Sequence, residues 1–105
     1  MVCIKEVQYG SFTLTRSGKR PLRIVGQLIK EASHWERDRH HHRLALYVTE
    51  SGKHVVHYSF SSIVDGTEDR FAATTHDSLE AALEEVEAKY PWADDVLELL
   101  PEELA

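Results

Sequence analysis

Apolar and polar residues alternate with a period of two along most of this chain, then shift to a period of three to four near its C-terminal end. Alternation marks a half-buried strand, whose successive side chains point to opposite faces. The longer rhythm marks an amphipathic helix. In Ser11–Thr15, Phe12 and Leu14 share a face, and Arg16-Ser17-Gly18-Lys19 then supplies a turn. Leu22 to Trp35 is a longer β-prone run. Leu22, Ile24 and Leu28 share one face, with Val25 and Ile29 opposite. Gly26 interrupts the run and predicts a bulge or bend. Glu36 to His42, reading ERDRHHH, predicts a loop or an exposed strand end.

The clearest local signal is a hairpin over residues 43–62. Leu44, Leu46 and Val48 alternate with Ala45, Tyr47 and Thr49, and Glu50-Ser51-Gly52-Lys53 makes the turn. On the return, His54, Val56, Tyr58 and Phe60 alternate with Val55, His57, Ser59 and Ser61. With the leucines, valines and Phe60 facing the core, Tyr47, Thr49, His57, Ser59 and Ser61 fall on a second, polar face. That face is the expected binding surface.

Asp65-Gly66 predicts a loop and Arg70–Thr75 a last short strand. Asp77 with Glu80 three residues on has the acceptor pattern of a capping box. Leu79, Ala82, Leu83, Val86 and Tyr90 then recur at helical spacing, predicting a helix from Ser78 to about Lys89. Pro91 stops it. Trp92, Val96, Leu99 and Leu100 predict a second short helix that ends at Pro101. Strands first and helices last define an α+β fold: an antiparallel meander of about five strands, with one amphipathic helix on one sheet face and a short C-terminal helix.

The 105 residues, 42% of them apolar, suit one domain spanning 1–105 with one modest core. Cys3 is the single cysteine, so no intramolecular disulfide forms. No run of about 18 apolar residues offers a membrane span. The start of the chain lacks the charged and apolar regions of a signal peptide, so a cytoplasmic protein is expected.

Charge is unevenly shared. Residues 1–43 hold nine Lys/Arg against four Asp/Glu, a net of +5, whereas residues 44–105 hold three against fourteen, a net of −11. Such a split bears on partners rather than on fold. The acidic, leucine-striped C-terminal part suits a basic partner or the basic half of a second copy.

Seven histidines invite a metal reading. His40, His41 and His42 are consecutive, however, and alternate faces on an extended chain. His54 and His57 are three apart on a strand and face opposite ways. No metal or other cofactor is expected. The chain has no G-x-S-x-G, glycine-rich phosphate loop, H-E-x-x-H or C-x-x-C, so no catalytic residue is assigned and no enzyme is expected.

The leading expectation is a small non-enzymatic module acting through protein–protein contact, as a homo-oligomer or accessory subunit. Its contact residues would be Trp35, Arg37, Arg39, Tyr47 and His57, since tryptophan and arginine anchor interfaces through large buried area and forked hydrogen bonds. The alternative is nucleic-acid binding through Arg16, Lys19, Arg20, Arg23, Arg37, Arg39 and Arg43, with basic groups on phosphate and Trp35 stacking a base.

Overall fold

A computed structural model describes residues 9–100, so Cys3 lies outside the described residues. Five strands, β1 (Gly10–Leu14), β2 (Leu22–Glu36), β3 (His40–Thr49), β4 (His54–Ser62) and β5 (Arg70–His76), are followed by the helices α1 (Leu79–Lys89) and α2 (Asp94–Leu97). The strands form one antiparallel sheet in chain order, a meander. This is the expected α+β architecture. No helix among the described residues is long and apolar enough to cross a membrane.

In the central hairpin Leu44 lies opposite Tyr58 and Leu46 opposite Val56. These side chains share a face with Ala32 and receive Ala82, Leu83 and Val86 of α1 and Val96 of α2. The apolar stripe of α1 is what the 3.6-residue period places toward the sheet. Val86 is completely buried there. Val86→Ala removes two methylene-sized groups and leaves a small cavity, and should lower stability by about 2 kcal/mol. Urea unfolding followed by circular dichroism measures this, and a loss near zero would mean that α1 is loosely packed.

The second sheet face is not open. Leu14 and Ile24 pack against Ala45, Tyr47 and Val55, with Phe12, Leu22 and Ala73 around them. Thus the β1–β2 hairpin lies over the strands that follow it. Its turn reaches β5: the Ser17 N–H donates to the Phe71 carbonyl (2.9 Å), and the Phe71 N–H donates to Ser17 Oγ (2.8 Å). Tyr47 and His57, expected on an exposed polar face, are 5% and 6% exposed. The expectation is corrected because a meander permits its first hairpin to double back, and Phe12, Leu14, Leu22 and Ile24 need a surface to cover.

Gly26 is where the doubling back begins. Its α-carbon passes so close to β3 that an added Cβ would overlap the Val48 carbonyl and sit 2.9 Å from the Thr49 α-carbon. The glycine therefore allows a close approach of two backbones. The bulge expected at Gly26 falls instead between Leu28 and Lys30. It turns half-buried Ile29 toward the helical core.

One other expectation changes. The N-cap of α1 is Ser78, whose Oγ accepts from the Ala81 N–H at 3.1 Å. Asp77 instead accepts from Lys53 Nζ at 3.2 Å. The Glu36–His42 stretch, expected as a loop or an exposed strand end, consists of strand ends around a tight turn: β2 runs through Glu36, residues 37–39 turn, and β3 starts at His40.

Candidate functional site

Five residues were expected to make a protein-binding face. The structure keeps Trp35, Arg37 and Arg39 together and separates them from Tyr47 and His57. Arg37 and Asp38 form the β2–β3 turn with φ of 53° and 56°. Two successive positive φ values match the twist of the flanking strands. Trp35, the last residue but one of β2, lies opposite His41 with ring centroids 4.7 Å apart. The Ile63 N–H donates to the Arg39 carbonyl at 3.0 Å, which brings the loop after β4 beside the turn.

This junction gathers exposed apolar surface. Trp35 is 52% exposed, Ile63 71% and Val64 40%. Arg37, Arg39, His40 and Val64 line a shallow depression between the two loops. Neither arginine side chain makes an ion pair or hydrogen bond among the described residues. His40 is held from beneath by Phe60, stacked at 5.6 Å. Unpaired guanidinium groups beside exposed aliphatic and aromatic side chains can grip a surface that is both apolar and acidic.

Trp35, Arg37 and Arg39 were legible in the sequence, whereas Ile63 and Val64 were not singled out. Their signal is an apolar pair standing just before the Asp65-Gly66 turn, where a polar loop is the norm.

The seven basic residues of the nucleic-acid alternative divide among separate elements. Arg16, Lys19 and Arg20 belong to the β1–β2 turn, where the Arg16 guanidinium donates twice to the Arg20 carbonyl. Arg23 is on β2 opposite Thr13. Arg37 and Arg39 sit at the other end of β2, and Arg43 is paired with Glu31. Burial disfavours charge on Arg43, but the Glu31 carboxylate outweighs it and leaves the guanidinium pKa above its ordinary value.

A second cluster lies on the helical side of the sheet. Tyr58 and His42 share a hydrogen bond of 2.6 Å between the hydroxyl and Nδ1, and Glu36 lies 3.6 Å from His42 Nε2. Trp92 stacks on His34 at 5.8 Å and meets His42 at 5.8 Å, and Tyr90 stacks on Tyr58 at 4.9 Å. Burial pushes both tyrosine pKa values up, so the hydroxyls stay protonated. None of these rings lines the depression between Arg37 and Val64. They fasten the α1–α2 connection to the sheet.

The acids of α1 also divide. Glu85 is largely buried and accepts from Thr74, His76 and Lys89. Burial alone would raise its pKa, and these donors outweigh that and lower it. Glu80, Glu84 and Glu87 remain exposed. They rim a groove floored by Leu79, Leu83, Leu99 and Leu100. Among the described residues no group of three or more His, Cys, Asp or Glu is placed to hold a metal ion.

The fold and this junction define a small α+β protein in which exposed Trp35, Ile63 and Val64 sit, at one end of the sheet, beside two arginines that are unpaired among the described residues. Sequence profiles of known families do not match the chain, and no curated protein or solved structure shows a significant match to it.

Proposed function

We propose that this protein is a non-enzymatic contact module of the cytoplasm, acting as an accessory or self-associating subunit through the β2–β3 end of its sheet. Trp35, Arg37 and Arg39 carry the contact, joined by Ile63 and Val64. Tyr47 and His57 leave the contact set, because their side chains belong to the core. The observation behind this reading is that Trp35, Ile63 and Val64 stand exposed around two arginines with no ion-pair or hydrogen-bond partner for their side chains among the described residues. The lone cysteine goes with a reducing compartment.

The test is retention of protein from a native lysate on immobilised protein, quantified by mass spectrometry. Arg37→Glu with Arg39→Glu should reduce the retained partner at least tenfold, and Trp35→Ala should reduce it several-fold. The circular dichroism of both variants should match the wild type, since these side chains lie outside both cores. Equal retention by wild type and both variants would remove the reading. Binding of a mixed oligonucleotide pool that falls steeply with salt, and is lost in the same arginine variant, would assign these residues to phosphate instead.

A further inference from the structure

Two surfaces of this chain complement each other and lie on different parts of the molecule. The first is the sheet end, apolar at Trp35, Ile63 and Val64, with Arg37 and Arg39 on either side of Asp38 in its turn. The second is the groove along α1, floored by leucines and rimmed by Glu80, Glu84 and Glu87. We propose that the groove receives the sheet end of a second copy of this chain, so that the protein self-associates head to tail. The proposal rests on the contact-module reading above and names its partner.

Complementary charge and apolar contact carry this pairing. Some charges find partners within the chain: Arg43 with Glu31, Lys53 with Asp77, and Glu85 with His76 and Lys89. Those that rim these two surfaces are free to pair with another molecule. Arg37 and Arg39 form no ion pair among the described residues, and neither do Glu80, Glu84 and Glu87. Three glutamates face two arginines of the next copy, while Trp35, Ile63 and Val64 meet the leucine floor. Complementary potential steers such an encounter, and apolar burial holds it. The two patches are different, so the contact is heterologous. It repeats from copy to copy until a rotation closes a ring.

Sedimentation velocity over a wide concentration range, in low and in high salt, tests this. Wild-type protein in low salt should show an average mass that climbs with concentration past that of a dimer, and high salt should weaken the association at least tenfold. Arg37→Glu/Arg39→Glu should stay monomeric, because an acidic sheet end then meets an acidic groove. Glu84→Arg/Glu87→Arg should stay monomeric for the mirror reason. An equimolar mixture of the two variants should associate, since each reversed surface fits the other variant. Circular dichroism checks that both variants are folded.

Wild type that stays monomeric at the highest concentration in low salt overturns the proposal. So does either variant associating alone as wild type does, or a mixture of the two that stays monomeric. The two readings fail separately. Monomeric wild type that still retains a different lysate protein through Arg37 and Arg39 sinks the second-copy partner and leaves the contact module standing. Monomeric wild type with no arginine-dependent retention sinks both.

Discussion

Gly26→Ala should lower stability by about 3 kcal/mol or more, a large effect for one added methyl group. The new Cβ would overlap the Val48 carbonyl and crowd the Thr49 α-carbon. Both obstacles are backbone, so no side chain can swing aside, and β2 must lift from β3. Val25 accepts from the Glu50 N–H at 2.8 Å next to this point, so that bond would stretch too. Once β2 lifts, Leu14 and Ile24 lose their seat on Tyr47 and Val55. Urea unfolding gives the total, and amide exchange in β1 should rise more than in β4. Gly18→Ala is the control. Gly18 has φ of 71° and nothing near its missing Cβ, so only backbone strain of about 1–2 kcal/mol is expected. Equal losses at the two positions would show that Gly26 is not a crossing point.

His57→Ala should cost about 2–3 kcal/mol, because it leaves the Thr15 carbonyl without its buried donor. In the wild type His57 Nε2 and the Thr15 oxygen are 2.8 Å apart, so Nε2 carries the proton and donates. Nδ1 is buried and has no partner among the described residues. A second proton would sit there as an orphaned donor inside the core. Burial therefore lowers the His57 pKa, against the favourable Thr15 bond, and the nearby Arg43 charge lowers it further. His54 shifts the same way, through burial and then His76.

The pH dependence follows in sign. Above about pH 6.5 the imidazole is neutral in both folded and unfolded chains, and the full stability is present. Below that value the unfolded chain takes up a proton that the folded chain resists, so stability falls until pH passes the lowered folded value. Thermal melts between pH 7 and pH 5 should show this decline. The slope should be shallower in His57→Ala, with a remainder owed to His54. An unchanged slope would mean that His57 titrates freely.

Much of the architecture could be read from periodicity, and the exceptions have specific causes. The 43–62 hairpin is local: alternation and the Ser51-Gly52 turn fix its register without help from the rest of the chain. Alternation placed Leu44, Leu46, Val56 and Tyr58 on the helical face correctly, because a period of two is set by the backbone alone. The same alternation could not say what covers Tyr47 and His57, since β1 and β2 lie far away in sequence. One clue was present. Phe12, Leu14, Leu22 and Ile24 made an apolar face for which the single helix had no room. The burial of Glu85 was hidden for a similar reason, because Thr74 and His76 stand on another element. At the junction, Trp35, Arg37 and Arg39 were visible as a tryptophan and arginines around a turn. Ile63 joined them only through its bond to the Arg39 carbonyl, which no pattern announces.

The bonds between Ser17 and Phe71 span 54 positions. Ribosomes deliver the N-terminal end first. Phe12, Leu14 and Ile24 thus leave the exit tunnel before the strands they rest on have emerged, at roughly 5–20 residues per second. For several seconds of elongation the first hairpin has its apolar side bare, and it docks only after Phe71 emerges. Until that docking, the bare side of the hairpin is open to contact with other chains, and its cover comes from strands that emerge later.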